Sequence, residues 1–450
     1  MGPGSRALII GDEKFIHDAE LILSQLDVHI ETASDEKRAR KKLRSAFIGT
    51  VIFDDDVCGA DGGDLRERIA VALQKSKKKF IVVSSRRTPD AIDEARFQGA
   101  SDYITKPYNY REFIARFNAT RSQKTRISCV GGGTGLFNLL LGLKTLPNVL
   151  LTSIVSTSDD GGSSGRLRAS FGVLPPGDIR RSLVALSNAP ELMNALMQYR
   201  FEKGESLVGH SFGNLILTVL AEIKGSMRES VRALGEILNI QGIVLPVTDI
   251  HTTLCALFED KTLLKGESKI DLAEGRNPNL HIENLWHEPE PKSDMNAYAS
   301  IINSEIVTIG PGDLFTSIIT NLLVADIRRA LQKTRAKRAY ICNLMTKPGE
   351  TASFTALDHV REVVKYIGGD HLDYIILSNT KLSDRALREY AKKDQVPVEV
   401  KNVDQIRTLT KAKVIIADVG HETELVRHDS MKLRDEINKI VERLRERRGA

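Results

Sequence analysis

The sequence predicts an α/β protein of two domains, each a parallel sheet wrapped by helices, and three observations carry that prediction. Short apolar runs alternate with amphipathic segments along most of the 450 residues, as βα units do. The polar hexapeptide 121–126 interrupts the alternation and reads as a linker between residues 6–120 and 127–429. Residues 129–165 run from an apolar stretch through a glycine turn, a helical stretch and a second apolar run into an acidic turn. An open parallel sheet builds ligand-binding corners at the carboxyl ends of its strands in this order.

In the first domain the strand candidates are Ala7–Ile10, Val28–Glu31, Thr50–Phe53, Phe80–Ser84 and Asp102–Ile104, with helical stretches between them and Tyr110–Phe117 closing the series. Five βα repeats in this length predict a small (βα)5 sheet of flavodoxin-like type. The second domain opens with a strand over Ile127–Val130, then Gly131-Gly132-Gly133-Thr134-Gly135. Leu136, Leu139, Leu140 and Leu143 come next at helical spacing, and a strand over Leu150–Val155 leads to Asp159-Asp160-Gly161-Gly162. Later strands read Thr253–Phe258, Ile306–Ile309, Arg338–Cys342, Tyr374–Leu377 and Lys413–Ala417, which together make a larger Rossmann-like, doubly wound parallel sheet. Residues 271–295 are polar, Pro-rich and poorly periodic and read as a loop or an excursion from the core. From residue 430 to 450, Leu433, Ile437, Ile440, Val441 and Leu444 share one face of a helix, expected to pack on its own domain or on a partner in a homodimer.

Composition narrows the function. Hydrophobic content of 41% and charged content of 27% are those of a globular protein. The net charge of +5 is carried in part by short runs such as Arg38–Arg44 and Lys75–Lys79, which read as solvated faces rather than a nucleic-acid stripe. Aromatic content of 5% argues against a base-stacking platform. Cys58, Cys129, Cys255 and Cys342 are far apart and lack zinc spacing, as expected of thiols in a reducing compartment. No apolar run reaches the ~20 residues of a membrane span and no signal peptide is read, so a cytoplasmic protein without membrane or nucleic-acid partners is expected.

In the first domain, chemistry-bearing residues fall at strand ends. Asp12 and Glu13 come after the first strand, Asp54 after the third, with Asp61-Gly62 beyond it, Ser84 after the fourth, and Lys106-Pro107 after the fifth within Gly99-Ala-Ser-Asp-Tyr-Ile-Thr-Lys-Pro107. The domain resembles a response-regulator receiver over its full length. That resemblance implies phosphorylation of Asp54, Mg²⁺ held by Asp12 and Asp54, Ser84 as switch hydroxyl, Lys106 on the phosphoryl oxygens, Tyr103 as switch aromatic, and a sensor histidine kinase as partner. Such a step needs a divalent ion to offset crowded negative charge. Gly11 departs from the family pattern by standing where the first of two acids usually falls.

Four constellations accompany the glycine turn of the second domain. Pro175-Pro176-Gly177-Asp178-Ile179-Arg180-Arg181 places guanidinium forks after a turn, suited to phosphate oxygens. Gly209-His210-Ser211-Phe212-Gly213-Asn214 and Gly310-Pro311-Gly312-Asp313-Leu314-Phe315-Thr316-Ser317 each open a helix, where free N–H groups favour anions. Asn343-Leu-Met-Thr-Lys-Pro-Gly-Glu-Thr351 comes after another strand. Taken singly, Ser211, Asn214, Asp313 and Ser317 also read as helix caps, and His210 as a turn histidine.

Together with DDGGSSGRLR at Asp159–Arg168 and Arg427-His428-Asp429, these motifs resemble the CofD-like family, in its YvcK (gluconeogenesis factor) branch, over about residues 126–429. The resemblance implies binding of a UDP-sugar, UDP-N-acetylglucosamine or UDP-glucose, in the control of carbon metabolism or the cell wall. It places Gly131–Gly135, Asp159, Asp160, Asp178, Arg180, His210, Asn214, Gly312 and Asp313 in the pocket. The expectation is thus a receiver that controls a sugar-nucleotide-binding domain. The alternative is a transferase of the 2-phospho-L-lactate type, which moves a phosphorylated group from a nucleoside-diphosphate-linked donor with Mg²⁺ on Asp159 or Asp160.

Overall fold

The computed structural model describes residues 6–57, 65–76, 78–271 and 277–449. Cys58, Asp61 and Gly62 lie outside the described residues. The chain divides into two compact units, the first built mainly on residues up to Arg126 and the second on most of the remaining chain.

The first unit is a five-stranded parallel sheet of β1 (Arg6–Ile10), β2 (His29–Ala33), β3 (Ile48–Asp54), β4 (Lys79–Ser84) and β5 (Asp102–Thr105), in the order β2-β1-β3-β4-β5. This is the doubly wound (βα)5 arrangement the alternation predicts. β3 and β4 read as nearly continuous apolar runs because helices cover both faces of a parallel sheet. One face packs Ile9, Ile52, Ile81, Val83 and Ile104 against Phe15, Ala19, Phe113 and Phe117 of the helices Glu13–Leu23 and Tyr110–Arg121.

The strands of the second unit are, in chain order, β6 (Thr125–Gly131), β7 (Val149–Val155), β8 (Ile243–Pro246), β9 (Thr253–Phe258), β10 (Leu263–Lys265), β11 (Ile282–Glu288), β12 (Ile306–Ile309), β13 (Lys337–Ile341), β14 (Tyr374–Ser378), β15 (Lys413–Ala417), β16 (Gly420–Glu422) and β17 (Val426–His428). Seven of them form the main sheet in the order β15-β14-β13-β12-β6-β7-β8. From β6 the chain builds outward in one direction to β8, and from β12 in the other to β15. The order therefore reverses between β6 and β12, and a crevice opens at the carboxyl ends of strands at such a reversal.

Three sequence readings are corrected. Thr253–Phe258 is a strand outside the main sheet, the centre of a three-stranded sheet β10-β9-β11 whose pairings are antiparallel. Periodicity finds a strand but not its partner. Of the two readings of 271–295, loop or excursion from the core, the loop is corrected: the stretch contains β11, in the small sheet outside the main one, whose outward residues Glu283 and Glu288 pair with Lys261 and Lys265 and give it its polar look. The polar hexapeptide is shorter as a connection, because Thr125 and Arg126 already lie in β6.

The helix Gly133–Leu143 buries Leu136, Leu139, Leu140 and Leu143, the periodic positions of the sequence. The terminal helix Ser430–Gly449 buries Leu433, Ile437, Ile440 and Val441 and lies on Gly133–Leu143, so its apolar stripe is covered within its own unit. Among the described residues no helix is long and apolar enough to cross a membrane.

Candidate functional sites

The glycine corner ends β6, and Gly310–Gly312 ends its sheet neighbour β12. These two corners touch. A Cβ on Gly135 would lie 2.6 Å from the carbonyl oxygen of Pro311 and 2.9 Å from the nitrogen of Gly312, closer than side-chain atoms approach backbone. Glycine at 135 is what lets the corners close on each other. Gly132 performs the same service toward a third corner, with Asp178 Oδ2 lying 2.5 Å from where its Cβ would be. Asn321 Nδ2 donates to the carbonyl of Gly131 (3.2 Å) and holds the corner from below.

The acidic turn joins through its serine. Ser163 Oγ shares a hydrogen bond with His210 Nδ1 (3.1 Å) and accepts one from Asn214 Nδ2 (3.2 Å), while Arg180 Nε donates to Asn214 Oδ1 (2.9 Å). Arg180 also donates to the carbonyl of Met197 and is 7% exposed. Burial, with Arg181 and Arg200 nearby, brings its pKa down to about 10. Arg180 is therefore a buried strut between corners rather than a fork open to solvent. Asp159 accepts from the nitrogen of Gly161, and Asp160 from the nitrogens of Glu267 and Ser268, so both acids order turns.

Ser211 and Asp313 stand at N-cap positions, yet neither side chain makes a capping bond. Asp313 instead pairs with Lys347 Nζ at 2.7 Å. Lys347 also pairs with Asp271 and, at 3.3 Å, with Glu350. The Glu350 carboxylate accepts from the nitrogens of Phe315 and Thr316 and thereby caps the helical turn after Asp313. Burial raises Glu350 above the usual carboxylate range and Glu267 to about 9; burial disfavours the Lys347 ammonium, but the surrounding carboxylates outweigh it and raise its pKa. Oxygens of Asp271, Asp313 and Glu350 lie within 4.8 Å of one another, a grouping able to hold a cation, which Lys347 supplies here.

These corners border a cleft of about 260 Å³ lined by Thr134, Gly135, Gly312, Asp313, Asn343 and Lys347 and, across it, Tyr390, Arg427 and His428. Of the residues expected at the pocket, Thr134, Gly135, Gly312 and Asp313 line it. Arg180, His210 and Asn214 form the buried network behind the acidic turn. Burial lowers the pKa of His428 to about 4, and its Nε2 donates to the carbonyl of Cys342 (3.1 Å), so it is a neutral wall. Sequence reasoning did not single out Lys347, Glu350, Asp271 or Glu267. The first two lie inside the Asn343–Thr351 motif, to none of whose residues the sequence assigns a role of its own; Asp271 opens the stretch read as a loop or an excursion, and Glu267 lies just ahead of it.

In the first unit a second cleft at the carboxyl edge of the sheet is lined by Asp12, Phe15, Asp54, Ser85, Lys106 and Tyr108. Asp54 is 1% exposed, and Lys106 Nζ lies 2.6 Å from its Oδ1. Burial raises the Asp54 pKa, opposed by Lys106. Asp12 is exposed and accepts from the nitrogen of Phe15, capping its helix. A Cβ at Gly11 would lie 2.5 Å from Phe15 Cδ1, so the ring fills the room a second acid would need. Tyr103 is buried and donates to the carbonyl of Arg86 (2.8 Å).

Comparison with known proteins agrees with this anatomy. Residues 127–419 match the family model described as 2-phospho-L-lactate transferase CofD, and residues 7–118 that of the response regulator receiver domain. The gluconeogenesis factor of Bacillus subtilis is 39% identical over 69% of this chain and 96% of its own length. That of Halalkalibacterium halodurans is 37% identical over 70% of this chain and 96% of its own length. A crystal structure of a member of the UPF0052 family from Bacillus halodurans superposes with a TM-score of 0.66 at 38% identity, covering 70% of this chain and 99% of that one. The chain therefore belongs to the CofD-like family, among relatives named gluconeogenesis factors, and carries a response-regulator receiver domain ahead of that family's domain.

Proposed function

We propose that the CofD-like domain binds a UDP-sugar, UDP-N-acetylglucosamine or UDP-glucose, and that the receiver regulates it in the control of carbon metabolism or the cell wall. The observation that carries this reading is the closure of the Gly135 corner on Pro311–Gly312 at the point where the strand order reverses. Backbone N–H groups at the start of a helix favour a diphosphate there. Lys347 and Arg427 give the cleft two cationic groups. The cleft is smaller than the roughly 300–1,000 Å³ of sites that enclose a whole ligand. The diphosphate and one flanking group would therefore sit inside, with the remainder over the mouth. Titration calorimetry of the full chain with both UDP-sugars tests it. Saturable binding that weakens in Lys347→Ala is expected, and no heat at millimolar ligand would end the proposal.

On the same reading Asp54 is the phosphoacceptor of the receiver, Ser84 and Lys106 contact the phosphoryl oxygens, Mg²⁺ sits on Asp12 and Asp54, and a sensor histidine kinase is the donor. Asp12 and Asp54 line one cleft, which suits a shared ion, although Gly11 leaves two carboxylates rather than three. A divalent ion there would offset the charge of an incoming phosphoryl group.

A second reading is favoured by the Asp271, Asp313 and Glu350 grouping, whose oxygens could hold a divalent ion if Lys347 withdrew. It is transfer of a phosphorylated group from a nucleoside-diphosphate-linked donor. Release of free nucleotide on incubation with donor and acceptor separates it from binding alone.

A further inference from the structure

Three aspartates in a row begin at the last residue of β3, and the sequence assigns a role only to the first. Asp54 holds one oxygen against Lys106. Asp55 is almost fully buried, accepts from Ser84 Oγ (3.0 Å), and is raised to about 6 by burial. Asp56 has the richest set of partners. Its carboxylate lies 3.0 Å from Lys106 Nζ and accepts from Ser84 Oγ (3.2 Å), from the Ser85 nitrogen (2.9 and 3.0 Å to its two oxygens) and from Ser85 Oγ (2.7 Å).

One ammonium, the hydroxyl and backbone N–H of Ser85, and the Ser84 hydroxyl that Asp56 shares with Asp55 converge on this carboxylate, which is 30% exposed, and make a charge-assisted anion slot. A phosphoryl group on Asp54, a neighbour within reach of the same Lys106, would be a dianion with three acceptor oxygens needing these same donors. We infer that the Asp56 carboxylate is an internal stand-in for the phosphoryl group: it fills the phosphoryl's place and holds Ser84, Ser85 and Lys106 as a phosphorylated Asp54 would.

The geometry has two consequences. The β4 end is drawn toward the β3 end without any added phosphate, and the loop that begins at Ser85 continues to Arg86, whose carbonyl receives the buried Tyr103 hydroxyl. A phosphoryl group on Asp54 competes with the Asp56 carboxylate for Lys106, Ser84 and Ser85, so phosphorylation displaces Asp56 from them. The receiver is thus gated by its own side chain. The inference rests on reading Asp54 as the acceptor, and the experiment separates the two.

The test uses the full chain, with beryllofluoride and Mg²⁺ as the phosphoryl probe, read by ¹⁹F NMR and by amide hydrogen exchange at Ser85. Asp56→Ala is expected to bind the probe at least tenfold more tightly than wild type. In its absence, Ser85 exchange should be at least tenfold faster in Asp56→Ala and intermediate in Asp56→Asn, which keeps the shape and loses the charge. Bound probe should restore the protection. Equal affinity in wild type and Asp56→Ala would overturn the inference. If neither protein binds the probe, Asp54 as acceptor fails, and Ser85 exchange alone decides about Asp56: unchanged protection in both variants overturns its role, and graded loss upholds it.

Discussion

Gly135→Ala tests the meeting of the two corners most sharply, because intrinsic preference and packing pull in opposite directions. Position 135 lies in the helix Gly133–Leu143 with ordinary backbone angles. Alanine there gains about 1 kcal/mol in helix propensity over glycine. Against this, the new methyl would stand 2.6 Å from the Pro311 carbonyl, about 0.8 Å short of ordinary contact at 3.4 Å. The obstacle is backbone, which cannot swing aside as a side-chain end can. Overpacking of this kind costs about 1–3 kcal/mol, and rigid backbone on both sides places it at the upper end. The net expectation is a loss of about 1–2 kcal/mol, seen as a melting temperature lower by roughly 2–8 °C. On the proposed function the larger effect is on ligand, since parting the corners would move the N–H groups proposed to face the diphosphate. Calorimetry should show UDP-sugar affinity down at least tenfold. A variant that melts at or above wild type and binds equally well would refute the packing argument.

Arg180→Ala removes the donor to Asn214 Oδ1, which is left buried and unpaired, and the nearer of two donors to the Met197 carbonyl, with an expected loss of about 1–3 kcal/mol in denaturant unfolding. His359 is fully buried and donates Nδ1 to the Thr355 carbonyl, and burial depresses its pKa from 6.5 to about 4. The unfolded chain therefore takes up a proton at this site between pH 6.5 and 4 that the folded chain refuses, so the site's contribution is intact above pH 6.5 and lost as pH falls toward 4. The stability advantage of wild type over His359→Gln should shrink across that window, which urea midpoints at a series of pH values would show. Thr355 and Asp358 cap the helix Ala356–Ile367 reciprocally, and Thr355→Ala should cost about 1 kcal/mol in the same assay.

The sequence carries the sheet strands well because a buried parallel strand must be apolar on both faces, as Ile306–Ile309 and Tyr374–Leu377 are. It carries the corners too, since Gly135 has a close approach to permit. It does not carry the pairing of Thr253–Phe258, because an apolar run reads the same in a parallel and an antiparallel sheet. Nor does it reveal that Arg180 is a strut: a guanidinium suits a phosphate or an amide equally, and only its burial beside Asn214 decides. Lys347 and Glu350 stay hidden because their partners Asp271 and Asp313 are distant in sequence. The three aspartates Asp54, Asp55 and Asp56 at the end of β3 and just beyond it look interchangeable as letters. Their different roles arise from which donors each meets at the β4 and β5 ends.

A crystal structure of the full chain with UDP-N-acetylglucosamine tests the central claim most directly. The account expects the diphosphate between the Thr134–Gly135 backbone and Gly312, with Lys347 on the same side of the cleft. A nucleotide bound elsewhere on the domain, with the Gly135 corner and Gly312 untouched, would contradict it.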